Sequence, residues 1–256
     1  MLERLAGPPR DGGGGGTART PARWRTGRTG PDPWSPAAEV ADQPWLRGRR
    51  ASLAREGLQQ SLLFPVTRFV TSPKVSGADD LLHAPQPAVI APNHSSDVDT
   101  PLVLWALPRV WRMRTVVGAA SDRFYASRRT ALTASLWINT FPFDRGSEGH
   151  GLAAAAEHLR GGYNVLIYPQ ATRTSGLEGM RGGVGRLCVA TGTPAVPVHV
   201  TGTGLLMPKG RGVTRRGRTE VRFGRAVEPL AGEEPQEFTE RVCAAMGAVA
   251  GAAARR

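Results

Sequence analysis

The stretch Ala91-Pro92-Asn93-His94-Ser95-Ser96-Asp97-Val98-Asp99 follows a short apolar run, Ala88-Val89-Ile90, and sets a histidine five residues before an aspartate. Five residues advance about 500° around an α-helix, so on one helix the two side chains would stand ~140° apart and never meet. They meet if His94 lies on a loop leaving a strand near 88–90 and Asp99 lies near the start of the next helix. Pro101 supports that start, because a first helical turn does not need the N–H that proline lacks. The stretch therefore predicts strand, loop and helix, with the histidine at the strand's exit. A neutral imidazole there can take a proton from a hydroxyl, and a carboxylate on its other nitrogen fixes the tautomer and stabilises the imidazolium. The alternative is an aspartate cap beside an unrelated loop histidine.

Working outward, the pattern alternates. Ser147 can cap a helix through Leu152, Ala155, Ala156 and Leu159 that Gly161-Gly162 ends, and Val165-Leu166-Ile167-Tyr168 reads as a strand. Gly185 to Thr191 reads as a short helix before the strand Ala195 to Val200. Glu220 to Phe223 reads as a late strand, and a terminal helix carries Phe238, Val242, Met246 and Val249. This β–α–β rhythm predicts an α/β fold in which helices cover a largely parallel sheet.

Four ordered blocks resemble the glycerolipid acyltransferase family, of the 1-acylglycerol-3-phosphate O-acyltransferase (lysophosphatidate acyltransferase) type. Asn93 to Asp99 matches its N-H-x-x-x-x-D block, and Phe141-Pro142-Phe143-Asp144-Arg145-Gly146 looks like its F-x-x-R block. Tyr168-Pro169-Gln170-Ala171-Thr172-Arg173-Thr174 is similar to F-P-E-G-T-R-S, and Val196-Pro197-Val198 to the apolar-Pro block. Together the blocks span roughly residues 60 to 225. The resemblance implies a mixed seven-stranded sheet with its active site at one sheet edge. One block departs from the pattern: Gln170-Ala171 stands where the family has Glu-Gly, keeping shape and hydrogen bonding but losing a negative charge and a glycine's backbone freedom.

Acyl transfer to an alcohol needs a base for the hydroxyl and positive charge to hold phosphate. His94 is the expected base and Asp99 its orienting partner, as in the His–Asp half of a hydrolase triad with the substrate hydroxyl in place of the serine. Arg145 and Arg173 are the expected phosphate ligands, because guanidinium offers a planar bidentate fork. Gln170 and Thr172 are expected to add neutral hydrogen bonds to the acceptor head group. Pro169 and Pro197 read as structural, and Asn93 is expected to brace the turn that presents His94. His83, His150, His158 and His199 lack a partner pattern and read as structural or exposed.

Residues 1–50 are expected to be a disordered tail and 51–256 the acyltransferase domain. Gly12 to Gly16 is an unbroken glycine run among scattered prolines and arginines, too poor in aliphatics to offset ordering entropy. A tether touching anionic lipid through Arg19, Arg23, Arg25 and Arg28, with Trp24 and Trp34 as interfacial anchors, is the functional alternative. The formal net charge of +12 is almost wholly arginine, since Lys74 and Lys209 are the only lysines, and such a balance favours polyanions. No reader motif for nucleic acid accompanies it, which leaves an anionic membrane surface and phosphorylated substrates. No export signal is legible near the N-terminus, and no apolar run approaches the ~18 residues of a spanning helix. The expected location is cytoplasmic, peripheral on the inner face of the cell membrane.

Leu58, Leu62, Val66, Phe69 and Val70 recur at near-helical spacing around Pro65, predicting two short helical pieces with a bend. Such a face normally packs on an interior, with a lipid surface as the alternative. Leu136, Trp137 and Ile138, just before the Phe141 block, are a second candidate for lipid or acyl-chain contact.

Cys188 and Cys243 form no C-x-x-C pair, and no metal or resident cofactor is expected. There is no G-x-S-x-G elbow and no P-loop, and a metal site on His94, Asp97 and Asp99 would leave the arginine blocks without a role. The expected function is transfer of a fatty acyl group from an acyl thioester, acyl-CoA or acyl-ACP as co-substrate, to the free hydroxyl of 1-acyl-glycerol 3-phosphate, giving phosphatidate. Alternatives are the same chemistry on glycerol 3-phosphate, another lysophospholipid or a non-phosphorylated alcohol, and a non-catalytic protein that binds anionic membranes.

Overall fold

A computed structural model describes residues 44–144, 150–170, 182–208 and 211–254. Seven strands form one sheet: β1 (Pro73–Ser76), β2 (Val89–Pro92), β3 (Thr115–Ala120), β4 (Thr140–Phe143), β5 (Asn164–Leu166), β6 (Ala195–Thr201) and β7 (Thr219–Phe223). Their order is β1-β7-β6-β2-β5-β3-β4. All neighbours pair in parallel except β6 and β7, so five strands share one direction and β7 and β1 run the other way. The sheet is thus mixed and largely parallel, as the rhythm of the sequence predicts.

The central strand β2 is apolar at every position because both its faces are covered. On β2, Ile90 joins one core with Leu166, Val117, Val198 and Val200, whereas Val89 and Ala91 join the other with Val165, Ile167 and Val116. The two-residue period of a strand makes that division. Helices α1 (Arg49–Leu58), α2 (Phe64–Thr71) and α3 (Asp99–Ala106) lie before and after β1 and β2, and Phe64, Leu102, Val103 and Leu104 fill the first core. After the short helices α4 (Arg109–Arg112) and α5 (Ser121–Phe124) comes α6 (Arg128–Ile138), whose Ser127 caps it reciprocally with Thr130. The second core is closed by α7 (His150–Arg160), α8 (Gly183–Thr191) and, past the short α9 (Thr203–Leu206), α10 (Pro235–Ala254). Gly185 on α8 lets α10 approach: a Cβ there would run into Pro235 O and Thr239 Oγ1. Phe238, Val242 and Met246 of α10 are buried as the sequence pattern predicts.

Three expectations are corrected. The fold begins before residue 51: Leu46 is buried, and its carbonyl accepts from buried Arg55 Nη2 at 2.7 Å. The helical pieces around Pro65 are joined by a π turn, Gln59–Leu63, with Pro65 in the first turn of α2, where no N–H is needed. The apolar stripe does not pack on the interior: Leu62 and Val66 are each 52% exposed and Phe69 59%, while Phe64, Thr67 and Thr71 turn inward. Leu136, Trp137 and Ile138 are partly buried, and Trp137 O accepts from Gln59 Nε2 at 2.8 Å. The expected cap Ser147 lies outside the described residues.

Candidate active site

His94 leaves the carboxyl end of β2, the fourth of seven strands, so the site lies above the sheet's centre rather than at a lateral edge strand. Chain order puts it there. β2 continues across β5 to β3 on one side, while β5 continues across β2 to β6 on the other, and the loops above such a reversal open a crevice at the strands' carboxyl ends.

Within the loop the histidine is held from several sides. Asn93 is buried and locks onto β6: its Nδ2 donates to Val200 O at 2.9 Å and its Oδ1 accepts from Val200 N at 2.6 Å. It therefore braces the neighbouring strand and not its own turn. The His94 backbone N–H donates to Gln170 Oε1 at 2.8 Å, tying the exits of β2 and β5 together. Tyr168 stacks on the imidazole with ring centroids 3.9 Å apart, and its hydroxyl shares a 2.6 Å hydrogen bond with Thr100 Oγ1. Burial, and then the nearby Asp99 charge, raise the Tyr168 phenol well above its ordinary pKa, so it remains a neutral wall.

Asp99 is the first residue of α3 and fully buried. Its Oδ2 collects three donors: His94 Nδ1 at 3.0 Å, Ser95 N at 2.7 Å and Ser96 N at 2.8 Å. A carboxylate only accepts, so the proton of neutral His94 sits on Nδ1 and Nε2 is left with a lone pair. The His94 side chain is 17% exposed, enough for a small polar group to reach it. Such a pair can take a proton at Nε2 while the buried carboxylate stabilises the imidazolium. Oδ1 of Asp99 has no hydrogen-bond partner among the described residues.

Of the residues anticipated from sequence, the structure brings together His94, Asp99 and Gln170. Gln170 was expected beside an acceptor head group; it is buried, and its Oε1 holds the base's own loop. A neutral amide suffices for that bond, because it needs only an acceptor. Arg145, Thr172 and Arg173 lie outside the described residues. Sequence reading missed Arg123 of α5, whose Nη1 and Nη2 fork Asp97 Oδ1 and Oδ2 at 2.7 and 2.9 Å and pin the His94 loop to the exit of β3. A separation of 26 residues carries no signal for it; the sheet order does. Tyr168 was legible in principle, since it shares a strand face with Leu166 and so with Ile90. Among the described residues no group of His, Cys, Asp and Glu is arranged to hold a metal ion.

A family model for acyltransferases matches residues 72–201, just over half of the chain, from before β1 to the end of β6. The chain belongs to the acyltransferase family. The matched span of this acyltransferase contains the whole His94–Asp99 loop and Gln170. Its fold is similar to the crystal structure of PlsC, the 1-acyl-sn-glycerophosphate (LPA) acyltransferase of Thermotoga maritima, with a TM-score of 0.59 and 21% identity over 79% of this chain and 84% of that one. No curated protein matches the sequence.

Proposed function

We propose that this acyltransferase moves a fatty acyl group from an acyl thioester, carried by coenzyme A or acyl carrier protein, to the free hydroxyl of 1-acyl-glycerol 3-phosphate, giving phosphatidate. The observation that carries the reading is the buried Asp99 oxygen that takes His94 Nδ1 and two backbone N–H groups, leaving Nε2 open. The acceptor oxygen attacks the thioester carbonyl carbon as its proton passes to His94 Nε2. The tetrahedral intermediate collapses with cleavage of the C–S bond, and the proton returns from the imidazolium to the departing thiolate sulfur. Arg145 and Arg173 hold the acceptor phosphate, and Thr172 hydrogen-bonds the head group, roles that rest on the motif resemblance. Gln170 serves the acceptor through His94, by fixing the loop that carries the base. No resident metal or cofactor enters this scheme.

The acceptor lives in a bilayer, and no helix among the described residues is long and apolar enough to cross one. We therefore place the reaction at the surface of an anionic membrane, on its cytoplasmic side, with a lysophospholipid reaching the site from one leaflet. A panel of acyl-CoA and acyl-ACP donors against lysophosphatidate, glycerol 3-phosphate, neutral lysophospholipids and simple alcohols, read by product mass spectrometry, tests the assignment. Phosphatidate as the dominant product supports it. Faster transfer to an acceptor without phosphate overturns it.

A further inference from the structure

The segment Arg211-Gly212-Val213-Thr214-Arg215-Arg216-Gly217-Arg218 carries four arginines, and no Asp or Glu occurs between Thr201 and Thr219. All four arginines are exposed, and among the described residues no carboxylate pairs with Arg211, Arg215 or Arg218. Large apolar side chains lie among them: Val213 is 53% exposed and Leu205, on α9, 65%.

The segment is held in place at both ends. Thr214 N donates to Leu206 O at 2.8 Å, and Gly217 N to Val70 O at 3.0 Å. Arg216 Nε donates to Phe69 O at 2.8 Å while its guanidinium lies 3.5 Å over the Phe69 ring. The exposed stripe Leu62, Val66 and Phe69 therefore continues into this arginine segment. At its root, Thr203 Oγ1 and Ser95 Oγ lie 3.0 Å apart, and Ser96 Oγ donates to Met207 O at 2.9 Å. The same stretch of chain thus touches the loop of the base and the apolar helix.

We infer that Leu205 and the segment Arg211–Arg218 are the headgroup contact of this enzyme: Arg211, Arg215 and Arg218 bind the phosphates of anionic lipids while Leu205 and Val213 enter the interface beside them. A bilayer surface offers unpaired negative charge next to apolar depth, which fits the interleaving of charge and aliphatic side chains here. Nucleic acid would call for stacking aromatics, and residues 203–218 contain none. Bound this way, the enzyme meets the leaflet with the Ser95–Ser96 turn directly behind the contact. The inference rests on the proposed work at a lipid surface, but its test needs no turnover.

The full chain is titrated with vesicles of phosphatidylcholine alone and of phosphatidylcholine with phosphatidylglycerol. Arg216 is left intact because it holds Phe69. The triple variant Arg211→Ser/Arg215→Ser/Arg218→Ser is expected to lose roughly 100-fold in affinity for the phosphatidylglycerol vesicles at low salt, from the usual worth of three surface cations. Arg128→Ser/Arg129→Ser/Arg160→Ser, which removes the same charge from exposed positions on α6 and α7, is expected to stay within about threefold of the parent. Equal losses in the two variants overturn the inference, as does an unchanged triple variant. Duplex DNA bound as tightly, and lost in parallel, overturns it in favour of a general polyanion patch. A separate variant, Val213→Trp, is expected to shift its emission to the blue on phosphatidylglycerol vesicles, and an unshifted spectrum also overturns it. Intact vesicle binding without acyl transfer in the donor and acceptor panel would keep this inference and remove the proposed reaction.

Discussion

His94 and His199 stand near the carboxyl ends of adjacent parallel strands, β2 and β6, and have opposite surroundings. His94 has a buried carboxylate on Nδ1 and an aromatic ring against its face. His199 lies opposite Arg222 in the antiparallel register with β7, and its Nδ1 has no partner among the described residues. Burial, and then the Arg222 charge, lower its pKa from the ordinary 6.5. Arg222 for its part is paired with Glu220 at 2.8 Å. A strand exit and a partly exposed imidazole are therefore not enough to make a base. What separates the two is a negative charge aimed at the far nitrogen.

The comparison breaks first at His94. His94→Ala is expected to lower kcat by roughly 10²–10⁴-fold with the fold retained, as for a lost general base. Near-normal turnover by folded variant protein would remove the contrast. Asp99→Asn comes next. All three donors meet one oxygen, so an amide can keep the tautomer by placing its own oxygen there; what it loses is the charge, and it buries an NH2 where Oδ1 has no partner among the described residues. We expect a fall on the order of 10²-fold, in kcat and not in KM. A change in KM alone would make Asp99 a structural cap.

A smaller effect is expected at Arg173. If it holds the acceptor phosphate, Arg173→Ala should raise KM for a phosphorylated acceptor by about 10–100-fold, the worth of a charge-assisted hydrogen bond, with slow thioester hydrolysis spared. Equal loss of hydrolysis would move Arg173 out of the acceptor site. The smallest effect on turnover belongs to His199→Gln, which should leave acyl transfer unchanged. Its signature is in stability. A histidine whose folded pKa lies below its unfolded value adds stability that is present above the unfolded pKa and lost as pH falls through the folded one. The parent should therefore lose more stability than His199→Gln between about pH 6.5 and the acid limb of chemical denaturation. Parallel losses would show that His199 is not held neutral.

The unbroken apolar runs Val89-Ile90-Ala91 and Val165-Leu166-Ile167 announce strands buried on both faces, and the five-residue gap to Asp99 requires a loop and a helix start; both are found. Neither pattern states which strands are neighbours. Without strand order, nothing says that Arg123 meets Asp97, that Asn93 clamps Val200 or that Gln170 faces the His94 amide. The outward direction of the stripe Leu62, Val66, Phe69 is hidden for a related reason: helical period identifies a face but not what covers it, and here all three side chains stay more than half exposed even with Arg216 over the Phe69 ring. Short strands such as β1 and β4 escaped because four residues with a proline carry too little alternation.

The inward positions along the first helices are Arg55, Gln59, Phe64, Thr67 and Thr71, with strides of four, five, three and four. The stride of five falls across the π turn. An uninterrupted α-helix continued from Gln59 would bring position 63 inward, about 100° out of phase with the arrangement found. The turn is thus what a one-residue insertion leaves when a helix absorbs it without unwinding. Removing exposed Gln60 would be the matching deletion: Phe64 would then follow Gln59 by four residues, and an uninterrupted α-helix would keep Phe64, Thr67 and Thr71 inward and leave Phe69 and the seat of Arg216 in place. Homologous chains one residue shorter here need no π turn to present the same outward surface, so their length at this point tells which helical geometry to read while the outward positions stay the same.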